Sequence, residues 1–156
     1  MIIIGCDPDS KKSGMAEYMP NPSGIGSMLV SLKSRSISHI FILFSYMHRN
    51  NIEAELHIED LNAISSNAFS VRSKDPLPVK LKKAGNVGQC KQVQIEIERI
   101  AEHFDIKIVR HSVSKQWKDK HGKSEFERVT GWIGRSNEDT RSAAYFGMLG
   151  VLEHAK

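Results

Sequence analysis

The chain has 156 residues, 40% of them hydrophobic, a formal net charge of +4 and a pI near 9.1. That is room for one domain over residues 1–156 with one core, and it excludes a disordered or low-complexity chain. No apolar run approaches the ~20 residues that span a bilayer, so no membrane partner is expected, and two cysteines, Cys6 and Cys90, make neither a disulfide framework nor a zinc pattern.

The first strand is expected over residues 2–7, where Ile2-Ile3-Ile4-Gly5-Cys6 runs into Asp7-Pro8-Asp9-Ser10. The opening apolar run is too short, and too soon charged, for a secretory signal. Strands over 14–19 and 27–32, with a turn at 20–24, complete an antiparallel meander. From 35 to 50 the period becomes helical, with Ile37, Phe41, Phe44 and Met47 on one face and Ser36 or Ser38 as the cap.

A fourth strand is expected over 54–59, Ala-Glu-Leu-His-Ile-Glu. Residues 60–84 are polar and basic, carry Pro76 and Pro78, and predict a long loop of the kind that is often functional. Residues 86–104 predict a helix with Val93, Ile97, Ile100 and Phe104 on one face, serving the core or a dimer interface. A fifth strand at 106–110 leads into a basic loop, 111–123, that holds Trp117. Then come a short helix over 124–132, ending near Gly131, and a last helix over 137–154 with Ala144, Met148, Val151 and Leu152 as its buried face. The order β-β-β-α-β-α-β-α describes an α/β fold with a mixed five-stranded sheet flanked by helices.

Charge is unevenly distributed. Residues 1–70 hold five Lys/Arg against seven Asp/Glu, residues 71–90 five against one, and residues 91–156 twelve against ten. The two basic stretches contain Arg72, Lys74, Lys82 and Lys83, and Lys115, Lys118, Lys120 and Lys123. They suit a polyanionic partner or ordinary solvated loops.

Three carboxylates stand at element ends. Asp7 closes the first strand, Glu59 closes the fourth, and Asp139 follows Glu138 in the first turn of the last helix. Taken singly, Asp7 could cap a turn and Glu59 could be an exposed strand end. Asp139 lies three residues after Ser136, a capping-box spacing. Taken together on a mixed sheet they can converge, and clustered carboxylates repel unless divalent cations neutralise them. All-oxygen donor sets suit Mg²⁺ or Mn²⁺, and a pair of such ions can activate water for phosphodiester hydrolysis.

These segments resemble the RuvC-like Holliday junction resolvases of the RNase H-like superfamily, particularly the small versions carried by bacteriophages. The resemblance spans nearly the whole chain. It rests on Ile4-Gly5-Cys6-Asp7-Pro8 with Gly14, on Glu55-Leu56-His57-Ile58-Glu59, and on the acidic start of the last helix before Ala143-Ala144. It implies an RNase H-like fold, a homodimer, cytoplasmic action (in a bacterial host if phage-encoded) on branched double-stranded DNA, and Mg²⁺-dependent nicking of two opposed strands at a four-way junction. Asp7, Glu59 and Asp139 then take the catalytic and metal-ligand roles, with two Mg²⁺ per site, Mn²⁺ able to substitute, and Asp7 shared between the ions. The two basic stretches become the DNA-binding surface, with Lys118 a candidate to polarise the scissile phosphate.

The chain departs from the family pattern in three places. Asp9 stands where Gly usually follows Asp-Pro. Ser142 stands where a second acid is usual, so that Glu138 or no residue supplies a fourth ligand. Asn62 stands where an aromatic wedge is usual, leaving Phe69 as a substitute. Trp117 and Trp132 read as core or loop anchors. The rival readings are another RNase H-like nuclease, acting on RNA–DNA hybrids or in RNA processing, and a catalytically silent junction binder. An actin-like nucleotide-binding fold would need more residues for its two lobes.

Overall fold

The computed structural model describes residues 1–23 and 26–156. The turn predicted at 20–24 ends on Gly24, outside the described residues. The elements are β1 (Ile2–Asp7), β2 (Ser13–Pro20), β3 (Ser27–Arg35), α1 (Ile37–Arg49), β4 (Ala54–Glu59), α2 (Leu77–His103), β5 (Lys107–His111), α3 (Lys120–Thr130) and α4 (Glu138–His154). The strands form one sheet in the order β3-β2-β1-β4-β5. β1–β2 and β2–β3 are antiparallel, whereas β1–β4 and β4–β5 are parallel. This is the mixed five-stranded, RNase H-like sheet expected from the sequence, with four flanking helices among the described residues, one more than the expected order counted because the short helix after β5 is fully formed.

Alternation along the central strands divides the interior in two. Ile4 and Cys6 of β1 and Leu56 and Ile58 of β4 pack with Ile40 and Phe44 of α1 and Ile97 and Ala101 of α2. Ile3 of β1 and Ala16 and Tyr18 of β2 instead meet Ala143 and Ala144 of α4, with Trp117 and Phe126 beside them. Asp7 shares its β1 face with Ile3, and Glu59 lies opposite in phase to Leu56 and Ile58, so both carboxylates fall on the α4 side of the sheet.

Two glycines let α4 settle onto that side. A Cβ on Gly5 would overlap the Ala143 carbonyl, and one on Gly14 would overlap the backbone of Asp139. Because Gly14 is the partner of Asp7 in the β1–β2 ladder, the second contact places the first turn of α4 over the end of β1.

α2 begins at Leu77, so the predicted 60–84 loop gives way to helix over its last eight residues. Pro76 is the N-cap and Pro78 falls in the first turn, where a missing N–H costs nothing. The prolines open the helix instead of belonging to a loop. Val93, Ile97, Ile100 and Phe104 face the core. α3 begins at Lys120, earlier than the predicted 124, because Asp119 caps it by accepting from the Gly122 N–H at 2.7 Å. In α1 the buried stripe is Ile40, Phe44 and Met47, while Ile37 and Phe41 are exposed. Ser36 is the cap.

α4 is capped by Asn137, not Ser136. The Thr140 N–H donates to Asn137 Oδ1 at 2.8 Å and the Asn137 N–H to Thr140 Oγ1 at 2.9 Å. The capping role considered for Asp139 is therefore filled by other residues. Of the face predicted for α4, Ala144 is buried, Met148 and Val151 are partly buried, and Leu152 is exposed. Among the described residues no helix is long and apolar enough to cross a membrane.

Candidate active site

β1 and β4 run parallel and adjacent, so Asp7 and Glu59 emerge at the same edge of the sheet. Both are buried, with 5% and 2% of their surface exposed. Burying two carboxylates side by side is costly unless a cation joins them. Here Lys118 supplies one: its Nζ lies 3.0 Å from Asp7 Oδ2 and 3.8 Å from Glu59 Oε2. Glu59 Oε1 accepts from the Ser114 N–H at 3.1 Å. Despite the nearby ammonium, Asp7 Oδ2 has no hydrogen-bond partner of good angle, and the buried Ser142 hydroxyl has none either.

The electrostatics are those of a crowded anionic site. Burial, reinforced by the Asp7 charge, raises the Glu59 carboxyl to about 7, against the opposing pull of Lys118 and the Ser114 N–H. Asp139, half-buried at the start of α4, is raised by burial and then by Asp7 and Asp9. Burial alone would lower Lys118, but the charges of Asp7 and Glu59 outweigh it and raise its proton affinity. Glu138 is exposed at the rim.

Asp7 and Glu59 open into a cavity of about 270 Å³ also lined by Lys118, Lys83, Phe69 and Cys90. The Cys90 thiol is raised by burial and by the surrounding carboxylates, so it stays protonated. Phe69 is 43% exposed, which leaves an aromatic edge at the mouth. Asn62 is occupied elsewhere: its Nδ2 donates to the Lys91 carbonyl and to Gln94 Oε1.

The basic residues separate into those at the cavity and those beyond it. Lys118 and Lys83 line it, Lys83 also pairing with Asp75 at 2.6 Å. Arg72, Lys74 and Lys82 are exposed on the 60–76 loop and the first turns of α2, and Lys115 is exposed on the loop before α3. Lys120 and Lys123 are exposed on α3, where Lys123 lies 3.6 Å from Glu127. Trp117 is in the core, as expected.

Two residues that organise this region, Arg141 and Gln94, escaped the sequence reading, and a third, Asp9, was seen only as a departure from the family pattern. Arg141 of α4 is buried and donates through Nε to the Trp117 carbonyl at 2.7 Å and through Nη2 to the Lys118 carbonyl. Gln94 of α2 is buried and accepts from the Leu61 N–H at 2.8 Å, securing the chain just after Glu59. Asp9 accepts from the Lys11 N–H at 3.0 Å, so it closes the turn where a glycine was expected. An arginine inside the apolar stripe of α4 was the one available signal; Gln94 carried none.

A second polar cluster lies at the opposite end of β4. Glu55 Oε1 is 2.7 Å from His57 Nε2 and 3.0 Å from His154 Nε2, and Lys107 Nζ donates to Glu55 Oε2 at 2.6 Å. His57 Nδ1 is 2.8 Å from His111 Nε2. Among the described residues Glu55, His57 and His154 bring ligand atoms within 4.8 Å of one another; Asp7, Glu59 and Asp139 do not form such a set.

No family model matches the chain, and no curated protein matches its sequence. Among the solved structures that share the fold are three resolvases. RuvC of T. thermophilus in complex with a Holliday junction substrate superposes with a TM-score of 0.62 at 11% identity, covering 99% of this chain and 95% of that one. A Thermus thermophilus RuvC structure superposes with a TM-score of 0.56 at 12% identity, covering 97% and 98%. The Fowlpox virus resolvase complexed with Holliday junction DNA gives a TM-score of 0.55 at 10% identity, covering 97% and 99%.

Proposed function

We propose that the chain is a divalent-metal-dependent, structure-selective endonuclease that nicks four-way and other branched DNA junctions by phosphodiester hydrolysis. The observation that carries this reading is the buried Asp7–Glu59 pair with Lys118 Nζ between the two carboxylates, beside the acidic start of α4. It is supported by a fold shared with RuvC and a poxvirus resolvase, both of which have been seen with Holliday junctions.

The donor set is all oxygen, as hard divalent cations prefer: Asp7 and Glu59 are buried, Asp139 is half-buried and Glu138 exposed, and Asp7 Oδ2 lacks a well-directed hydrogen bond. Asp7, Glu59 and Asp139, with Glu138 at the rim, would hold two Mg²⁺, or Mn²⁺ in their place. Such ions supply a water nucleophile and stabilise the leaving oxygen. Around them the chain's own groups act by charge and position. Glu59, its carboxyl raised to about 7 by burial and the Asp7 charge, would give up its proton where a cation is held. Lys118, released from the carboxylates, would be free to stabilise charge on the scissile phosphate. Arg72, Lys74, Lys82, Lys83, Lys115, Lys120 and Lys123 give the salt-dependent phosphate contacts that hold junction arms without reading sequence. Two copies in a homodimer would deliver paired nicks, within the cytoplasm of a bacterial host.

The test compares the native protein with Asp7→Asn on a labelled four-way junction, with and without Mg²⁺. Symmetric nicks by the native protein, and binding without cutting by the variant, support the reading. Equal cutting by both removes Asp7 from the mechanism. A second reading, a silent junction binder, is favoured by the buried Ser142 hydroxyl standing where a second acid is usual. It predicts tight binding with no cutting under either metal. Another RNase H-like nuclease would prefer RNA–DNA hybrid to junction in the same assay.

A further inference from the structure

The geometry points to a second metal site, for a zinc-class transition ion, formed by Glu55 Oε1, His57 Nε2 and His154 Nε2 at the end of β4 remote from Asp7 and Glu59. The two positions on β4 are four residues apart, roughly 13 Å along a strand, so the sites are separate. Their chemistry differs as well. The Asp7 end offers only oxygens, whereas this end offers two imidazole nitrogens and one carboxylate oxygen, the donor set of zinc centres that keep an open fourth position.

The cluster has the features such a centre needs. Glu55 and His57 are buried on one face of β4, and His154 comes down from the last turn of α4, 42% exposed, leaving a route for an ion and a water. Gly150, one turn earlier, makes room: a Cβ there would strike the His57 ring. The Glu55 oxygens divide their work, with Oε2 held by Lys107 and Oε1 facing both imidazoles. His57 is backed by His111 at 2.8 Å, the kind of partner that orients a ligating imidazole. Without metal, each Nε2–H donates to Glu55 Oε1. With metal, each ring changes tautomer with no net loss of a proton: the Nε2 protons of His57 and His154 pass to solvent, His154 takes a solvent proton at Nδ1, and His57 Nδ1 takes the proton of His111 Nε2–H across their 2.8 Å hydrogen bond while His111 is reprotonated at Nδ1 from solvent. Tetrahedral zinc–ligand bonds of about 2.0–2.1 Å separate ligand atoms by roughly 3.3 Å. The observed 2.7 and 3.0 Å separations therefore open by a few tenths of an ångström: His154, at the end of its helix, provides the second, and a small rotation of the Glu55 carboxylate the first. The terminal carbonyls of α4 add a negative dipole end, while Lys107 weakens cation binding. The ion would tie α4 to the sheet.

Tag-free protein is titrated with Zn²⁺ against a chromophoric chelator, with Co²⁺ as a spectroscopic probe and thermal melting as a second readout. The site predicts one Zn²⁺ per chain, a higher Tm with Zn²⁺, and visible d–d bands with Co²⁺. Asp7→Asn keeps all three, which separates this site from the nuclease reading. His154→Ala, at an exposed position whose loss leaves the fold intact, weakens Zn²⁺ about tenfold or more, and Lys107→Met strengthens it. No Zn²⁺ binding by the native chain, binding undiminished in His154→Ala, or binding lost in Asp7→Asn would each overturn the proposal.

Discussion

Arg141 donates to the Trp117 carbonyl at 2.7 Å, so the helix that carries Asp139 also grips the loop that carries Lys118. The guanidinium takes the Lys118 carbonyl as well, and Trp117 itself sits at a left-handed φ of 62°. That conformation is uncommon for a bulky residue and needs external support.

Arg141→Ala is therefore expected to act on the site from a distance. Buried carbonyls left without donors cost about 1–3 kcal/mol each, so Tm falls. Lys118 also loses its position, so junction nicking slows far more than junction binding weakens. Arg141→Lys, which cannot span both carbonyls, should restore stability in part and nicking little. Parallel melting, binding and single-turnover cleavage would show this; proportional losses in all three would make Arg141 merely structural.

Lys118→Met removes the cation that stands between Asp7 and Glu59. The site then depends more heavily on added metal, with no internal competitor. The Mg²⁺ concentration for half-maximal nicking is expected to fall, while the maximal rate falls about 10²-fold or more for loss of a phosphate-stabilising charge. A metal titration of nicking rate separates the two effects. An unchanged maximal rate would leave Lys118 as an ion-pair partner only.

The raised Glu59 carboxyl makes stability without divalent ions depend on pH. A carboxyl raised from 4.5 to about 7 on folding stabilises the fold fully below its unfolded value, and that contribution is lost as pH rises through about 7. Asp139 is raised as well and has the same sign. His57 and His111, lowered by burial, act oppositely in mildly acidic solution. Comparison of the native chain with Glu59→Gln cancels these terms. The variant should gain relative stability between about pH 5 and pH 8, by at most about 3 kcal/mol. Melting curves with a chelator present measure it, and a pH-independent difference would remove Glu59 as the source.

Phe69 lines the same cavity as Asp7 and Glu59 with nearly half its surface free. Such an aromatic is suited to stack on a base unpaired at the junction centre, a contact worth about 1–3 kcal/mol. Phe69→Ala should reduce fluorescence changes of a 2-aminopurine placed there and slow nicking, with arm binding preserved by the lysines. An unaltered fluorescence response would exclude Phe69 as the wedge.

The strands and the two central carboxylates were legible because they obey local rules. An Ile-rich run ending in Asp7, and an alternating strand ending in Glu59, show through burial phase alone. The family resemblance rested on the same segments, and the sheet order agrees with it. The basic loop before α3 was legible by charge, and it delivers Lys118 to the carboxylates. The start of α2 was not, because Pro76 and Pro78 mark a helix entry as readily as a loop, and the early turns lack an apolar stripe. The α4 cap was not legible either, because Ser136 and Asn137 offer equally good capping side chains one residue apart.

What the amino-acid order alone determined is therefore the set of strands, the face each presents and the carboxylates at their ends, since hydrophobic periodicity and turn chemistry act over a few residues. Only the tertiary structure decided which distant groups meet: Lys118 with Asp7, Arg141 with the loop at Trp117, and His154 with Glu55. Those pairings depend on how α4 lies across the sheet, and that is set by close backbone contacts at Gly5 and Gly14 and by the packing of Gly150 on the His57 ring, which no local pattern records.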